Sequence, residues 1–296
     1  MPLPTFAEAS REWLAVYSAK RHSAAWHERS RDFLEDRVIP RLGHLPLDAV
    51  RRPDINALVR AYAEAGKAVT ANHVLVTIRS VYGWYINARD YEGHNPALGI
   101  KRQRCTPKDR VLSAVELHAI WHASLSLGEW GQIIRLLMCT GQRPGEISCL
   151  SWSEIVQTPD GWRIELPKHR TKNRHPHVVP LPALAHAQLP EQRPGFPNLF
   201  GRGRGKAWNG WATGRRMLKA KLGGMPHWSP HDLRRSFVTH ANELGLAQPH
   251  IIEAAVNHIG GAKAGVAGVY NRAKHLPERR ALLEVWCKEL ERIVAL

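Results

Sequence analysis

Residues 229 to 237 read "SPHDLRRSF", and they specify both a helix and what that helix presents. Ser229 fits an N-cap, Pro230 fits the first helical position, and Asp232 completes a capping box with Ser229. A helix that starts there sets His231 and Arg234 three apart on one face, so a proton-transfer group and a permanent cation point the same way. An HxxR pair alone is common by chance, and an ordinary surface pair is the plain alternative.

Working outward, residues 140 to 150, "TGQRPGEISCL", place Arg143 at a glycine-containing turn just before a helix opening with Pro144. Free backbone N–H groups at such a start already favour an anion, so an arginine there makes poor use of the helix dipole unless a negative ligand is bound. The expectation is a cation held for a phosphate or carboxylate, and the alternative is a salt bridge with Glu146.

Between these two stretches the apolar period changes. "WRIEL" and "HVVPL" flank "PKHRTKNRHP" and predict two short strands joined by a basic turn that contains Lys172. Residues 201 to 221 carry seven basic and no acidic residues, which predicts a phosphate-facing stretch over a merely solvated loop.

Further upstream, Ser113 and Glu116 form a second capping box that opens a helix. The segment "NPALGIKRQRCTPKDR" combines proline, glycine and five basic residues and reads as a basic linker over 101–110. Before it, Phe6, Trp13, Leu14 and Tyr17, then Phe33, Leu34 and Val38, recur near helical spacing, with Pro40 and Gly43 expected to break the pattern. Ile55, Leu58, Val59 and Tyr62 stripe another helix that stops at Gly66, and a further one runs through "TANHVLVTIRSVYGWYINARD". These aromatic residues are expected in a core. The expected class is mainly α (α+β): an all-α domain over 1–100, then a mostly helical domain over 111–296 with a small antiparallel sheet.

The 296 residues carry 42 basic against 26 acidic side chains, a net charge of +16, and the excess is shared: 16 against 11 over residues 1–106, and 26 against 15 thereafter. Charge of one sign on both parts points to a polyanion, since each neutralised phosphate releases counterions. No apolar run approaches the ~18–20 residues of a membrane span, and the N-terminus lacks a signal-peptide pattern, so a cytoplasmic protein is expected. Cys105, Cys139, Cys149 and Cys287 show no zinc-ligand spacing and suit a reducing compartment; "HPH" at His175 to His177 has no acidic or thiol neighbour to complete a metal site. Tyrosine stands at 17, 62, 82, 85, 91 and 270, so "VYNRAKH" holds the only phenol of the last 205 residues.

Taken together, these motifs resemble the tyrosine recombinases of the phage-integrase family along nearly the full length. "TGQRPGEI" resembles the first-arginine motif through Arg143, and "RTKNR" the catalytic-lysine turn through Lys172. "HDLRR" resembles the His-x-x-Arg box through His231 and Arg234, "NHIGG" the second histidine through His258, and "VYNRA" the nucleophile through Tyr270. His258 and Tyr270 lie twelve apart, a longer spacing similar to that of prophage-type integrases with a Gly-rich insert, and the N-terminal helices resemble the SAM-like core-binding domain without the arm-site-binding domain.

The resemblance implies that Tyr270 attacks a DNA phosphodiester to give a 3′-phosphotyrosine and a 5′-hydroxyl. Arg143 and Arg234 would hold the non-bridging oxygens, Lys172 protonate the leaving oxygen, His231 accept the phenol proton and His258 donate to the phosphate. No nucleotide cofactor and no metal are implied. Partners implied are double-stranded DNA with specific core sites, a homotetramer on that DNA, with a monomer free in solution, and an accessory directionality factor. The setting would be a bacterial or phage-encoded mobile element at the nucleoid. The C-terminal stripe of Leu283, Trp286, Leu290 and Val294 would dock on a neighbouring subunit or on its own domain. Rival readings are a DNA-binding protein on this fold without strand transfer and a type IB topoisomerase.

Overall fold

The structure, a computed structural model, describes residues 3–106, 109–201, 208–258 and 274–295. The chain forms two compact units, Met1–Lys108 and Asp109–Leu296.

The first unit is all-α. Helix α1 (Phe6–Glu12) starts at a capping box in which the Thr5 N–H donates to Glu8 Oε2 at 2.8 Å. It widens into a π-type stretch, Trp13–Ser18. Helix α2 (Ala24–Phe33) does the same over Leu34–Val38 and then continues through Ile39–Leu42. Pro40 therefore does not break this helix, contrary to the sequence expectation. It sits in the first turn of the last segment, where its missing N–H is tolerated after a preceding turn that already departs from α geometry. Helix α3 (Arg52–Glu64) ends before Gly66, whose φ of 71° is the left-handed conformation glycine adopts without strain, and α4 (Ala68–Ala88) follows. Phe6, Trp13, Leu34, Val38, Ile55, Ile78 and Tyr82 are fully or almost fully withdrawn from water in one core. Each contributes on the order of 2 kcal/mol by burial. Past the last helix the chain stays tied to this unit, because Asn72 Oδ1 accepts from the Gln103 N–H at 2.7 Å and its Nδ2 donates to Gln103 O at 2.8 Å.

In the second unit, α5 (Ala114–Ser124) begins at the Ser113–Glu116 capping box, and α6 (Gly128–Thr140) follows. Every residue of α6 from Ile133 to Thr140 is buried, as suits a helix surrounded by others. After the short α7 (Pro144–Ser148) come β1 (Ile155–Thr158), β2 (Gly161–Leu166) and β3 (His177–Pro180), an antiparallel sheet in the order β1-β2-β3. Ile164 pairs with Ile155 on one side and Val179 on the other, and both Ile164 and Val179 are fully buried. The sequence announced β2 and β3 but not β1, whose four residues "IVQT" are too short to show a period.

The basic stretch over 201–221 contains helix α8 (Trp211–Leu222), which no local pattern announces, and Arg215, Arg216, Lys219 and Lys221 stand exposed on it. Then come α9 (Pro230–Glu243), α10 (Pro249–Ala255) and α11 (Leu276–Val294). Helices α5, α7, α9 and α11 all pack on α6. The C-terminal helix docks on its own unit: Leu282, Leu283, Trp286, Cys287, Leu290 and Ile293 are buried, and Trp286 Nε1 donates to Met138 O at 2.8 Å. His118 and His122, one turn apart on α5, reach the carbonyls of Ile293 and Val294 that end it, at 3.1 and 2.8 Å. No described helix is long and apolar enough to cross a membrane.

Candidate active site

The site starts where α6 stops. Gly141 has φ 63°, and a Cβ there would lie 2.4 Å from the Phe237 ring of α9, so glycine is required both by conformation and by space. Its carbonyl accepts from Arg234 Nη1 at 3.2 Å, which ties α9 to this turn.

Two residues later Arg143 precedes α7. Its N–H donates to Glu146 Oε2 at 3.3 Å, its Nη1 to Glu146 Oε1 at 3.0 Å, and its Nη2 to Asn257 O at 3.0 Å. The ion pair with Glu146, the less favoured alternative in the sequence, is therefore formed. Its cause is local: a carboxylate three residues into a helix reaches back to the first residue, and Glu146, only 4% exposed, needs a counter-charge at that depth.

Arg234 is 7% exposed, and among the described residues no carboxylate lies within 4 Å of it. Burial, and then the charge of Arg143, pull its pKa down to about 10, with Glu146 opposing. Two guanidinium groups thus share the field of one buried carboxylate. His231, at the second position of α9, is exposed; its pKa is lowered by the part of the ring withdrawn from water, then by Arg234 and Arg235, with Asp232 opposing and Arg143 adding to the fall. Asp232 itself caps the helix, accepting from the Ser229 N–H at 2.8 Å, and pairs with Arg235.

The hairpin turn between β2 and β3 reaches the same place. Asn173 Nδ2 donates to Asn257 Oδ1 at 2.8 Å and to Asn257 O at 3.2 Å, the carbonyl that also accepts from Arg143. Lys172, next to Asn173, is exposed. Arg170 in the same turn is structural, bound to Glu154 Oε1 at 2.8 Å and Cys149 O at 2.7 Å. Asn257, with φ 51°, turns the chain out of α10 so that His258 follows directly, exposed, with Nδ1 3.6 Å from Glu253 Oε1. Asn257 thus gathers the Arg143, Lys172 and His258 segments at one point. Tyr270 lies outside the described residues.

Sequence reasoning missed Asn173 and Asn257, since their pairing across 84 positions leaves no local pattern. It also missed the buried trio Gln142, His177 and Arg279. The available signal was the period of β3, where a histidine takes an inward position beside Val179. His175, the other histidine of "HPH", is exposed. Among the described residues, no three His, Cys, Asp or Glu side chains are grouped to hold a metal ion.

A family model described as the phage integrase central domain matches residues 6–101. Prophage integrase IntZ of Escherichia coli (strain K12) is 26% identical over 299 residues, covering 98% of this chain and 72% of that one. Prophage integrase IntA of the same organism is 25% identical, covering 86% of this chain and 62% of its own length. In fold, the chain is similar to a lambda integrase dimer bound to a COC′ core site, with TM-score 0.68 and 16% identity, over 86% of this chain and 96% of that one. It matches the lambda integrase tetramer bound to a Holliday junction equally well, at TM-score 0.68 and 16% identity over 86% of this chain and 77% of that one. Residues 6–101 thus match the phage integrase central domain, and the chain is similar in sequence to prophage integrases along almost its whole length and in fold to lambda integrase.

Proposed function

We propose that this chain is a site-specific DNA recombinase that cleaves and rejoins strands through a 3′-phosphotyrosine on Tyr270, and so integrates or excises a mobile element. The observation that carries this reading is the pair Arg143 and Arg234 around a single buried carboxylate. Packing alone gives no reason to bury the second cation, whereas a phosphodiester approaching its transition state supplies the missing negative charge. Guanidinium groups suit it because they stay charged and donate in a planar fork.

In the proposed step the Tyr270 oxygen attacks phosphorus, the bond to the 5′ oxygen breaks, and the new ester bond preserves the energy needed for rejoining. His231 takes the phenol proton; its lowered pKa keeps the ring neutral and ready to accept. Lys172 gives a proton to the departing 5′ oxygen, which an ammonium does and a guanidinium effectively does not. His258 donates to the phosphate. Residues 1–100 serve as the core-binding domain, 101–110 as linker and 111–296 as the catalytic domain; the family model on 6–101 supports the first assignment. Assembly as a tetramer on paired core sites is supported by the lambda integrase tetramer seen on a Holliday junction.

The test is strand cleavage of DNA carrying the element's own junction, in excess EDTA and without ATP. Cleavage that persists supports the reading. Cleavage lost with EDTA and restored by Mg²⁺ contradicts it and indicates a metal-dependent nuclease.

A further inference from the structure

Behind the arginine pair lies a polar network that the proposed chemistry leaves unexplained. Gln142, His177 and Arg279 are 1%, 3% and 5% exposed. They come from the turn after α6, from β3 and from α11, and touch in sequence: Arg279 Nη2 lies 3.2 Å from His177 Nδ1, and His177 Nε2 lies 3.0 Å from Gln142 Oε1.

The direction of every bond follows from the ends. Gln142 Nε2 donates to two main-chain carbonyls, Thr140 O at 2.7 Å and Ala255 O at 2.9 Å, so its amide cannot be flipped and Oε1 is left to accept. The proton between Gln142 and His177 therefore belongs to His177 Nε2. A guanidinium only donates, so His177 Nδ1 accepts from Arg279, and the ring is the neutral Nε2–H tautomer. Arg279 is held in turn by the carbonyls of Val178 and, at 3.2 Å, of Lys274, while its Nε, buried, finds no partner among the described residues.

Such a network is costly, because a buried cation and two further polar side chains stand where apolar residues would pack more cheaply. Its effect is geometric. Gln142 binds Ala255 O, and the adjacent Arg143 binds Asn257 O through its guanidinium. Both the main chain and the head group of Arg143 are thereby referenced to one turn, the end of α10.

We infer that Gln142 and His177, held by Arg279, are positioning residues that fix Arg143 for the phosphate. The inference rests on the recombinase reading for what Arg143 does, but the network stands apart from it. A single-turnover suicide-substrate assay tests it, measuring covalent adduct formation by Gln142→Met in two backgrounds, wild type and Arg143→Lys. Expected is a slowing of about 100-fold in the first, the cost of a misplacement of about 1 Å, with DNA affinity nearly unchanged, Tm lowered to the same extent in both backgrounds by the polar groups left without partners, and little further slowing in the second. Equal slowing in both backgrounds overturns it.

Arg279→Lys, which keeps the charge but loses the fork, should reproduce the effect if Gln142→Met fails to fold. A second readout needs no activity: ¹⁵N spectra should show His177 as the Nε2–H tautomer and the Arg143 Nε–H signal moving in Gln142→Met. A His177 ring protonated at Nδ1, or an unmoved Arg143 signal, overturns the inference even if wild type forms no adduct, an outcome that would count against the recombinase reading alone.

Discussion

Arg143 and Arg234 stand on opposite sides of one charge balance: Glu146 binds Arg143 at 3.0 Å, and among the described residues Arg234 keeps only the Gly141 carbonyl, at 3.2 Å. The fold pays for that second cation without using it, and the first prediction follows. Arg234→Met should abolish cleavage, a loss of at least ~10²-fold, yet leave Tm unchanged or raised, because a desolvated charge repelled by Arg143 is removed. Arg170→Met should do the reverse to stability, costing roughly 3 kcal/mol by stranding the buried carboxylate of Glu154. Thermal unfolding of the two variants side by side checks the contrast; a large fall in Tm for Arg234→Met would show that the arginine is structural.

The pH dependence of stability should carry a signature of His177. Burial, then the charges of Arg279, Arg234 and Arg143, hold its pKa well below the usual 6.5, against a smaller opposing contribution from the Ala255 carbonyl. The unfolded chain then binds a proton that the folded ring refuses, so stability falls as pH drops below about 6.5. His22, His73 and His231 shift the same way, so the informative quantity is a difference. Wild type should lose up to ~1.4 kcal/mol more per pH unit than His177→Gln in that range. Parallel profiles would mean that His177 is protonated in the fold.

Lys172 sits exposed in a turn pinned by Asn173, a placement suited to meeting a leaving group. Lys172→Ala should slow cleavage of ordinary DNA by about 10²–10⁴-fold and spare a substrate whose 5′ leaving group is a thiolate, which needs no acid. Equal slowing of both substrates would assign the lysine to phosphate binding.

DNA affinity should fall steeply with salt, with a log-log slope near −0.9 for each phosphate neutralised. The exposed basic face of α8 makes a local version testable. Lys219→Ala and Lys221→Ala, measured by salt titration, should each flatten the slope by about 1 if they face phosphates; an unchanged slope would remove α8 from the interface.

What the sequence disclosed, and what it did not, follows the range of the interactions. The capping boxes at Ser113 and Ser229 span three residues and were legible, as were β2 and β3, because cap and period are local signals. The helix Trp211–Leu222 goes unannounced because its basic residues and Gly-rich approach mask a stripe of only Gly214 and Leu218 facing inward. Pro40 misled because a proline one turn into a helix segment is indistinguishable in sequence from a stop. At the site, residue types and order pointed to the arginines and histidines, while the partners that aim them, Asn257 for Arg143 and His177 for Gln142, lie 114 and 35 positions away and become neighbours only on folding.

The central claim is that Tyr270, the only phenol after Tyr91, becomes covalently joined to DNA. A nicked suicide substrate carrying the core site traps such an adduct, denaturing electrophoresis displays it, and mass spectrometry of the digested band locates the modified residue. The account predicts a shifted band in wild type with the nucleotide on the peptide containing Tyr270, and no band in Tyr270→Phe, which keeps the ring and alters only the hydroxyl. An adduct that persists in Tyr270→Phe, or that maps to any other residue, would contradict it.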